Sequence, residues 1–350
     1  MHVATLIVAI IAVALTALAP VLPAGAQSDK LSLQVAGAWP EGDYLSEAVR
    51  FWQGKVTERT KGRITFRNQY AGALLPGPRM LEGIRDGLAD VSAHVVTSYF
   101  SGTVPDFIPF EVPFAFPMDR ENWTKMNAEV FPIVDEILRE HNQKAIYSAS
   151  LLPDPVTCRD KFVSNEAAWK GVKIRTAGRW QSETVQNWGG SPVFMPLGDL
   201  YIALQRGTVD CTLLVYNLLQ SFKITEVAKY VTRADHSINY LVLTMNLGVW
   251  NKLSPAEQQI LLAAGRETER HQFDLMERDM KRVIGEMKAS RVKFCTPNQA
   301  EFDRLVAKAQ IWDKVRQAMG PRGNRIVDVL QKYRDQVRRG SMDTLESTGC

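Results

Sequence analysis

The sequence predicts an α/β protein of two lobes, and three observations carry that expectation. Its 350 residues exceed what one ordinary core organises and suit two units of roughly 100 to 200 residues each. An alternation of strand and helix periods runs over residues 31–96 and starts again after Lys161, the order that builds sheets covered by helices. A single helical pattern of about 35 residues follows Ser254, and at about 1.5 Å per residue it is long enough to span both lobes.

The elements follow in order. Leu31, Leu33 and Val35 alternate as a half-buried strand does. Leu45, Val49, Phe51, Trp52 and Val56 then recur at helical spacing until Lys61-Gly62, and Arg63 to Tyr70 resumes alternation through Ile64 and Phe66. After a turn-rich stretch from Ala71 to Pro78, Met80, Leu81, Ile84 and Leu88 form a second amphipathic stripe broken by Gly87, and Val91 to Val96 reads as a buried strand. This grammar implies a mostly parallel sheet. Beyond Pro105, Phe107, Phe110, Phe114 and Phe116 lie among Pro109, Pro113 and Pro117, which exclude a regular helix, and the rings are expected to lie over the sheet. In the second half, Trp169 to Ile174 enters a strand and a helix covers Trp180 to Trp188. Pro192 to Met195 is a strand, Asp199 to Gln205 a helix, and Val209 to Val215 a strand. Ser254-Pro255-Ala256-Glu257 then supplies a cap, a first-turn proline and an acid at the third helical position, the capping-box arrangement.

The first 26 residues stand apart. An uncharged run from Val3 to Leu18 precedes Pro20, Pro23 and Ala24-Gly25-Ala26, which reads as a signal peptide cleaved near Ala26, although only His2 stands where a positive n-region belongs. An uncleaved anchor is the alternative, the run being slightly short for a bilayer span. Composition, 45% hydrophobic and 23% charged, is that of a folded globule. With 42 basic against 38 acidic residues and no basic run interleaved with aromatics, no nucleic-acid partner is expected. Cys158, Cys211, Cys295 and Cys350 show no CxxC spacing, which argues against a zinc site. Buried free thiols are expected, with a Cys158–Cys295 or Cys211–Cys295 bridge tolerable in an oxidising compartment.

Enzyme signatures are missing: the chain has no GxSxG, HExxH, Walker A loop or GxGxxG. His2, His94, His141, His236 and His271 lack ligand spacing, and a Cys158–His236 nucleophile pair has nothing in the sequence to bring it together. One cation stands out. In Gly171-Val172-Lys173-Ile174-Arg175-Thr176, Arg175 sits at a strand end before a turn, where open α/β sheets bind ligands and a planar guanidinium suits a carboxylate. An ion pair of Arg175 with a neighbouring acid is the competing reading, and the residues alone leave both open.

Several segments taken together resemble a known family. They are Gly62-Arg63-Ile64, Ile84-Arg85-Asp86-Gly87, Val112-Pro113-Phe114, Gly171 to Arg175, Tyr201-Ile202-Ala203-Leu204-Gln205 with Gly207-Thr208-Val209-Asp210, His236, and Trp250 before Leu253-Ser254-Pro255. In order and spacing the chain is similar to the DctP-like substrate-binding proteins of TRAP (tripartite ATP-independent periplasmic) transporters over nearly its whole mature length. The resemblance implies a periplasmic binding-protein fold with a hinge, a long helix bracing both lobes, and delivery of a small organic acid to TRAP permease membrane subunits. Lobe one is then expected to comprise residues 28–151 and about 241–279, and lobe two 152–240 and about 280–340. The family's carboxylate-holding arginine matches Arg175. Where many relatives read Val-Asp-Gly-Gln-Glu-Asn-Pro this chain has Val209-Asp210-Cys211-Thr212-Leu213-Leu214-Val215, and an upstream supporting arginine finds only Leu152-Pro153-Asp154-Pro155, with Arg159 a weak substitute.

The expectation is therefore a periplasmic monomer that binds a carboxylate without turnover, without cofactor or metal, and favours an apolar or aromatic monocarboxylate. Strand-end placement nominates Trp39, Thr97 and Ser98 from the first lobe, and Leu214, Tyr216, Asn217 and Asn239 from the second, as the lining around Arg175. A periplasmic sensor or scaffold of the same fold is the alternative; a permease gene pair beside it would decide for transport.

Overall fold

Residues 30–117, 119–237, 239–333 and 349–350 are described by a computed structural model. The signal peptide, its cleavage near Ala26 and the last part of the second lobe, residues 334–340, lie outside the described residues. Among the described residues eleven strands form two sheets. The first contains β1 (Leu31–Gly37), β2 (Ile64–Gln69), β3 (Val91–Val96) and β4 (Gln143–Ser150), together with β10 (Tyr240–Asn246). The second contains β5 (Val156–Cys158), β6 (Lys173–Thr176), β7 (Ser191–Phe194), β8 (Cys211–Leu213), β9 (Tyr230–Thr232) and β11 (Lys293–Cys295). Their spatial orders are β2-β1-β3-β10-β4 and β11-β9-β5-β8-β6-β7. Each sheet with its helices is one lobe.

Each sheet is mostly parallel in strand direction, as the alternation of elements implied, and one strand in each is reversed. β1 runs parallel to β2 and β3, but β10 is antiparallel to both its neighbours. In the second sheet β5 is likewise antiparallel to β8 and β9. Both strands stand where the chain crosses between lobes, and a strand that arrives by crossing has no covering helix to turn it parallel. The two crossings, residues 151–155 and 233–237, lie side by side and share hydrogen bonds: Asp154 N–H donates to Ser237 O (2.9 Å) and His236 N–H to Asp154 O (3.0 Å). This antiparallel pair is the hinge.

The long helix spans Pro255–Ala289, 35 residues, with both halves of the Ser254–Glu257 capping box formed. Its first part packs on β4 and on the helix Tyr44–Arg59, where Trp52 Nε1 donates to Leu261 O (3.1 Å). Its later part packs on the helix Tyr216–Ser221 of the second lobe. The Pro-aromatic run forms a 3-10 stretch over Pro105–Glu111. Phe110 and Phe116 stack on Tyr240 of β10, whereas Phe114 crosses over and joins the second lobe's core beside Trp188 and Phe302. The helix Pro321–Tyr333, expected with the second lobe, packs instead on Arg120–Glu140 of the first. Its Ile326, Val327 and Leu330 are buried there, Tyr333 OH donates to Glu129 (2.7 Å), and Asp106 accepts the N–H groups of Gly320 and Gly323.

The cysteines correct another expectation. They are not free thiols, and neither of the two pairings considered forms. Cys158 bonds Cys211 and Cys295 bonds Cys350. The first pair faces in register across β5 and β8, an adjacency set by sheet order rather than by spacing along the chain.

Candidate functional site

A cleft of about 530 Å³ separates the lobes at the carboxyl ends of β3 and β6, with Ser98, Tyr99, Ile108 and Glu111 on one wall and Ala177, Gly178 and Trp180 on the other. Tyr99 is 52% exposed at its mouth. Strand β6 leads to this cleft. Ile174 is buried in the second lobe's core, so by strand alternation the next residue, Arg175, points to the other face. Its backbone is fixed by pairing with Val193 of β7 and Thr212 of β8.

The Arg175 side chain is only 5% exposed. Its Nε donates to Met195 O (3.2 Å), which orients the guanidinium plane. Among the described residues neither Nη nitrogen has a hydrogen-bond partner, and no carboxylate lies within 4 Å of it. Burial lowers its pKa, opposed by the nearby Tyr99 and Asp154. The structural ion pair that the sequence left open is therefore absent from the described contacts.

Asp154, also 5% exposed, sits on the first hinge segment close enough to sense Arg175. Burial pushes its pKa up to about 8, Arg175 opposes this, and Asp235 adds to it. At neutral pH the acid is mostly protonated, so it does not neutralise Arg175. The sequence reading had treated this position only as the place where a second arginine was missing; a lone acid between two prolines in an otherwise apolar stretch was the available signal. Arg159 does not stand in for that arginine, because its guanidinium lies against Gly207, at the far end of β5 and β8 from Asp154.

The other nominated residues divide. Ser98 lines the cleft and its hydroxyl donates to Asn239 Oδ1 (3.3 Å), tying the end of β3 to the start of β10. Trp39 is buried with its Nε1 unpartnered among the described residues. Asn217 reaches Asp43 across the lobes (3.4 Å), leaving its own Oδ1 unpartnered in the same sense. Thr97 is fully buried and its hydroxyl is used on Tyr240 O (2.8 Å). Tyr216 is fully buried too, donating to Asp235 (2.8 Å), and Leu214 packs into the apolar core. Two acids were missed. Asp43 caps the helix Tyr44–Arg59 and is raised to about 6, chiefly by burial. Glu111 is raised by burial while accepting from Ser101 and the Trp180 N–H.

Histidines and thiols supply no chemistry here. The rings of His94 and His236 are fully enclosed and burial holds both near pKa 3, hence neutral. Cys158 is bonded to Cys211, so it is not a nucleophile for His236. Among the described residues no cluster of His, Cys, Asp or Glu is placed to hold a metal ion, and no helix is long and apolar enough to cross a membrane.

Comparison with known proteins places this geometry. The 2,3-diketo-L-gulonate-binding periplasmic protein YiaO of Escherichia coli (strain K12) is 26% identical over 270 residues, covering 77% of this chain and 81% of YiaO. A TRAP periplasmic solute-binding protein from Ochrobactrum anthropi superposes with a TM-score of 0.81 at 21% identity, covering 89% of this chain and 98% of that one. A Bordetella pertussis extracytoplasmic solute receptor binding pyroglutamic acid superposes with a TM-score of 0.74 at 19% identity, over 86% and 99%. The model of the bacterial extracellular solute-binding protein family 7 (DctP) matches residues 35–317, most of the chain, and the protein belongs to that family of periplasmic TRAP-transporter solute-binding proteins.

Proposed function

We propose that this protein captures a small organic monocarboxylate in its interlobe cleft, holds it with Arg175, and as a monomer delivers it to the membrane subunits of a TRAP permease. One observation carries the reading: a nearly buried guanidinium, pre-oriented by Met195 O, whose two Nη nitrogens have no partner among the described residues. A desolvated cation without a counterion is costly, and an incoming carboxylate matches its fork with two charge-assisted bonds. The cleft wall carries Glu111 beside Arg179 and the hydroxyls of Ser98, Tyr99 and Ser101, and a second carboxylate placed against Glu111 would meet like charge. Ile108 and Trp180 in the cleft walls favour an apolar or aromatic body. Relatives bind acids of varied bodies: pyroglutamic acid, glucuronate and orotic acid occupy the Bordetella, Chromohalobacter and Desulfovibrio proteins.

Calorimetric titration with benzoate, hexanoate, pyroglutamate, glucuronate and succinate tests the reading. The monocarboxylates with apolar bodies are expected to bind most tightly. Tight binding of succinate overturns the monocarboxylate preference, and no response to any of the acids overturns carboxylate capture of this class.

A further inference from the structure

We infer that Asp154 is the second polar anchor of the bound solute: as the neutral acid it donates its O–H to an oxygen of the carboxylate held at Arg175. This deepens the carboxylate reading above and rests on it.

The argument begins with the backbone. Asp154 lies on the hinge segment between β4 and β5, where its N–H and C=O are both paired with the returning segment. Pro153 and Pro155 flank it, so neither adjoining residue has a backbone N–H to offer the carboxyl. The residue is 95% buried. Its Oδ1 is fully buried without a hydrogen-bond partner, and no described residue donates to either oxygen. A buried polar group left in that state is destabilising and calls for an explanation. A structural role gives none, since the group holds nothing in place. A ligand group does, because the acid stands within electrostatic reach of Arg175, whose two Nη nitrogens also have no partner among the described residues.

The charges around it select the protonation state. Arg175 on β6 favours the carboxylate, while burial and Asp235 on the second hinge segment disfavour it. Asp235 is itself engaged with Tyr216 and Arg233, and the His236 ring is neutral. When an anionic solute reaches Arg175 it neutralises the cation that favoured ionisation and adds a negative charge beside Asp154. Both effects hold the proton on the acid, which then has an acceptor for its O–H. Binding is consequently linked to that proton, and affinity falls as pH rises above about 8, approaching tenfold per pH unit.

The test titrates the intact protein and its Asp154→Asn, Asp154→Leu and Arg175→Ala variants with the five acids named above, from pH 6 to pH 9.5. Asp154→Asn retains an N–H donor. It is expected to bind the preferred acid within a few-fold of wild type and to lose the alkaline decline, a readout that a purely structural residue would not move. Asp154→Leu is expected to lose at least tenfold at pH 7 while its circular dichroism remains native. Wild-type affinity that is flat to pH 9.5, or undiminished in Asp154→Leu, overturns the inference and leaves Arg175 untouched. Affinity that rises with pH and vanishes in Asp154→Asn overturns it in favour of an ionised partner for a cationic solute group. Unchanged binding by Arg175→Ala overturns the underlying reading instead, and no binding of any acid by wild type overturns both.

Discussion

In the proposed function Arg175 holds the solute, and its fork is oriented from one side only. Met195 O fixes Nε, leaving the two Nη nitrogens as a planar pair without a partner among the described residues. Arg175→Ala is expected to weaken binding of the preferred carboxylate by about 2 to 5 kcal/mol, roughly 30-fold to several-thousand-fold, since the solute's carboxylate is left desolvated and unpaired. Arg175→Lys is expected to recover only part, a point charge being unable to copy two parallel N–H donors. Isothermal titration beside a thermal melt checks this, and equal affinity of the alanine variant with an intact fold refutes the clamp. Arg175 was visible in the sequence because strand, cation and turn follow one another there. Thr97 and Tyr216 were nominated by the same strand-end logic and prove to be committed to Tyr240 and Asp235. Position at a strand end does not reveal which face a side chain takes or what it already bonds. Asp154 escaped notice because its state depends on two groups remote in sequence, Arg175 and Asp235.

Among the elements, the long helix was the most legible, because the Ser254–Glu257 box marks its start and only Gly265 and Gly285 interrupt its residue preferences. Strands β4, β5, β9, β10 and β11 were not assigned, and the reasons are physical. Every residue of β4, β5 and β10 is buried, so they lack the two-residue alternation that marks a half-exposed strand, and β9 and β11 are three residues each, too short to show a period. The two helix glycines separate packing from propensity. A Cβ on Gly265 would stand 2.8 Å from Ile146 O and 3.1 Å from Tyr147 Cβ of β4, whereas one on Gly285 meets nothing within 4 Å. Gly265→Ala is therefore expected to destabilise by about 1 to 3 kcal/mol despite alanine's better propensity, because the obstacle is strand backbone that cannot turn aside. Gly285→Ala is expected to stabilise by up to about 1 kcal/mol. Urea midpoints of the two variants should move in opposite directions; a shared direction would show that helix contact with β4 is looser than the structure has it. The Cys158–Cys211 bond makes a similar point about β5, whose three residues are held between β8 and β9. Replacing both cysteines with alanine is expected to lower stability by about 2 to 4 kcal/mol, read from the same midpoints.

Across the whole molecule, three acids share one circumstance: each is desolvated where the lobes meet. Asp43 faces Asn217 of the other lobe and is raised to about 6, Asp154 on the hinge is raised to about 8, and Glu111 is raised while its carboxylate reaches the Trp180 N–H across the cleft. In each case burial is the leading cause. Opening the cleft hydrates these groups and returns them toward ordinary carboxylate values, so the closed arrangement binds protons more tightly than the open one. The linkage sign follows: acidification from pH 8 to pH 5 favours closure, and the preference fades as pH rises through the raised values. If solute is held at Arg175 as proposed, it is expected to close the hinge by its own contacts at either pH. Small-angle scattering of the unliganded protein is expected to give a smaller radius of gyration at pH 5 than at pH 8. In the triple variant Asp43→Asn, Glu111→Gln, Asp154→Asn this dependence should largely disappear, with the particle near its compact size throughout, because the amides keep hydrogen-bonding capacity without the ionisation that opposes burial. Asparagine remains a competent cap at position 43, so the variant should fold. A radius independent of pH in wild type, or one that grows on acidification, would mean that opening does not hydrate these three groups, and the hinge would then have to move without parting the surfaces that bury them.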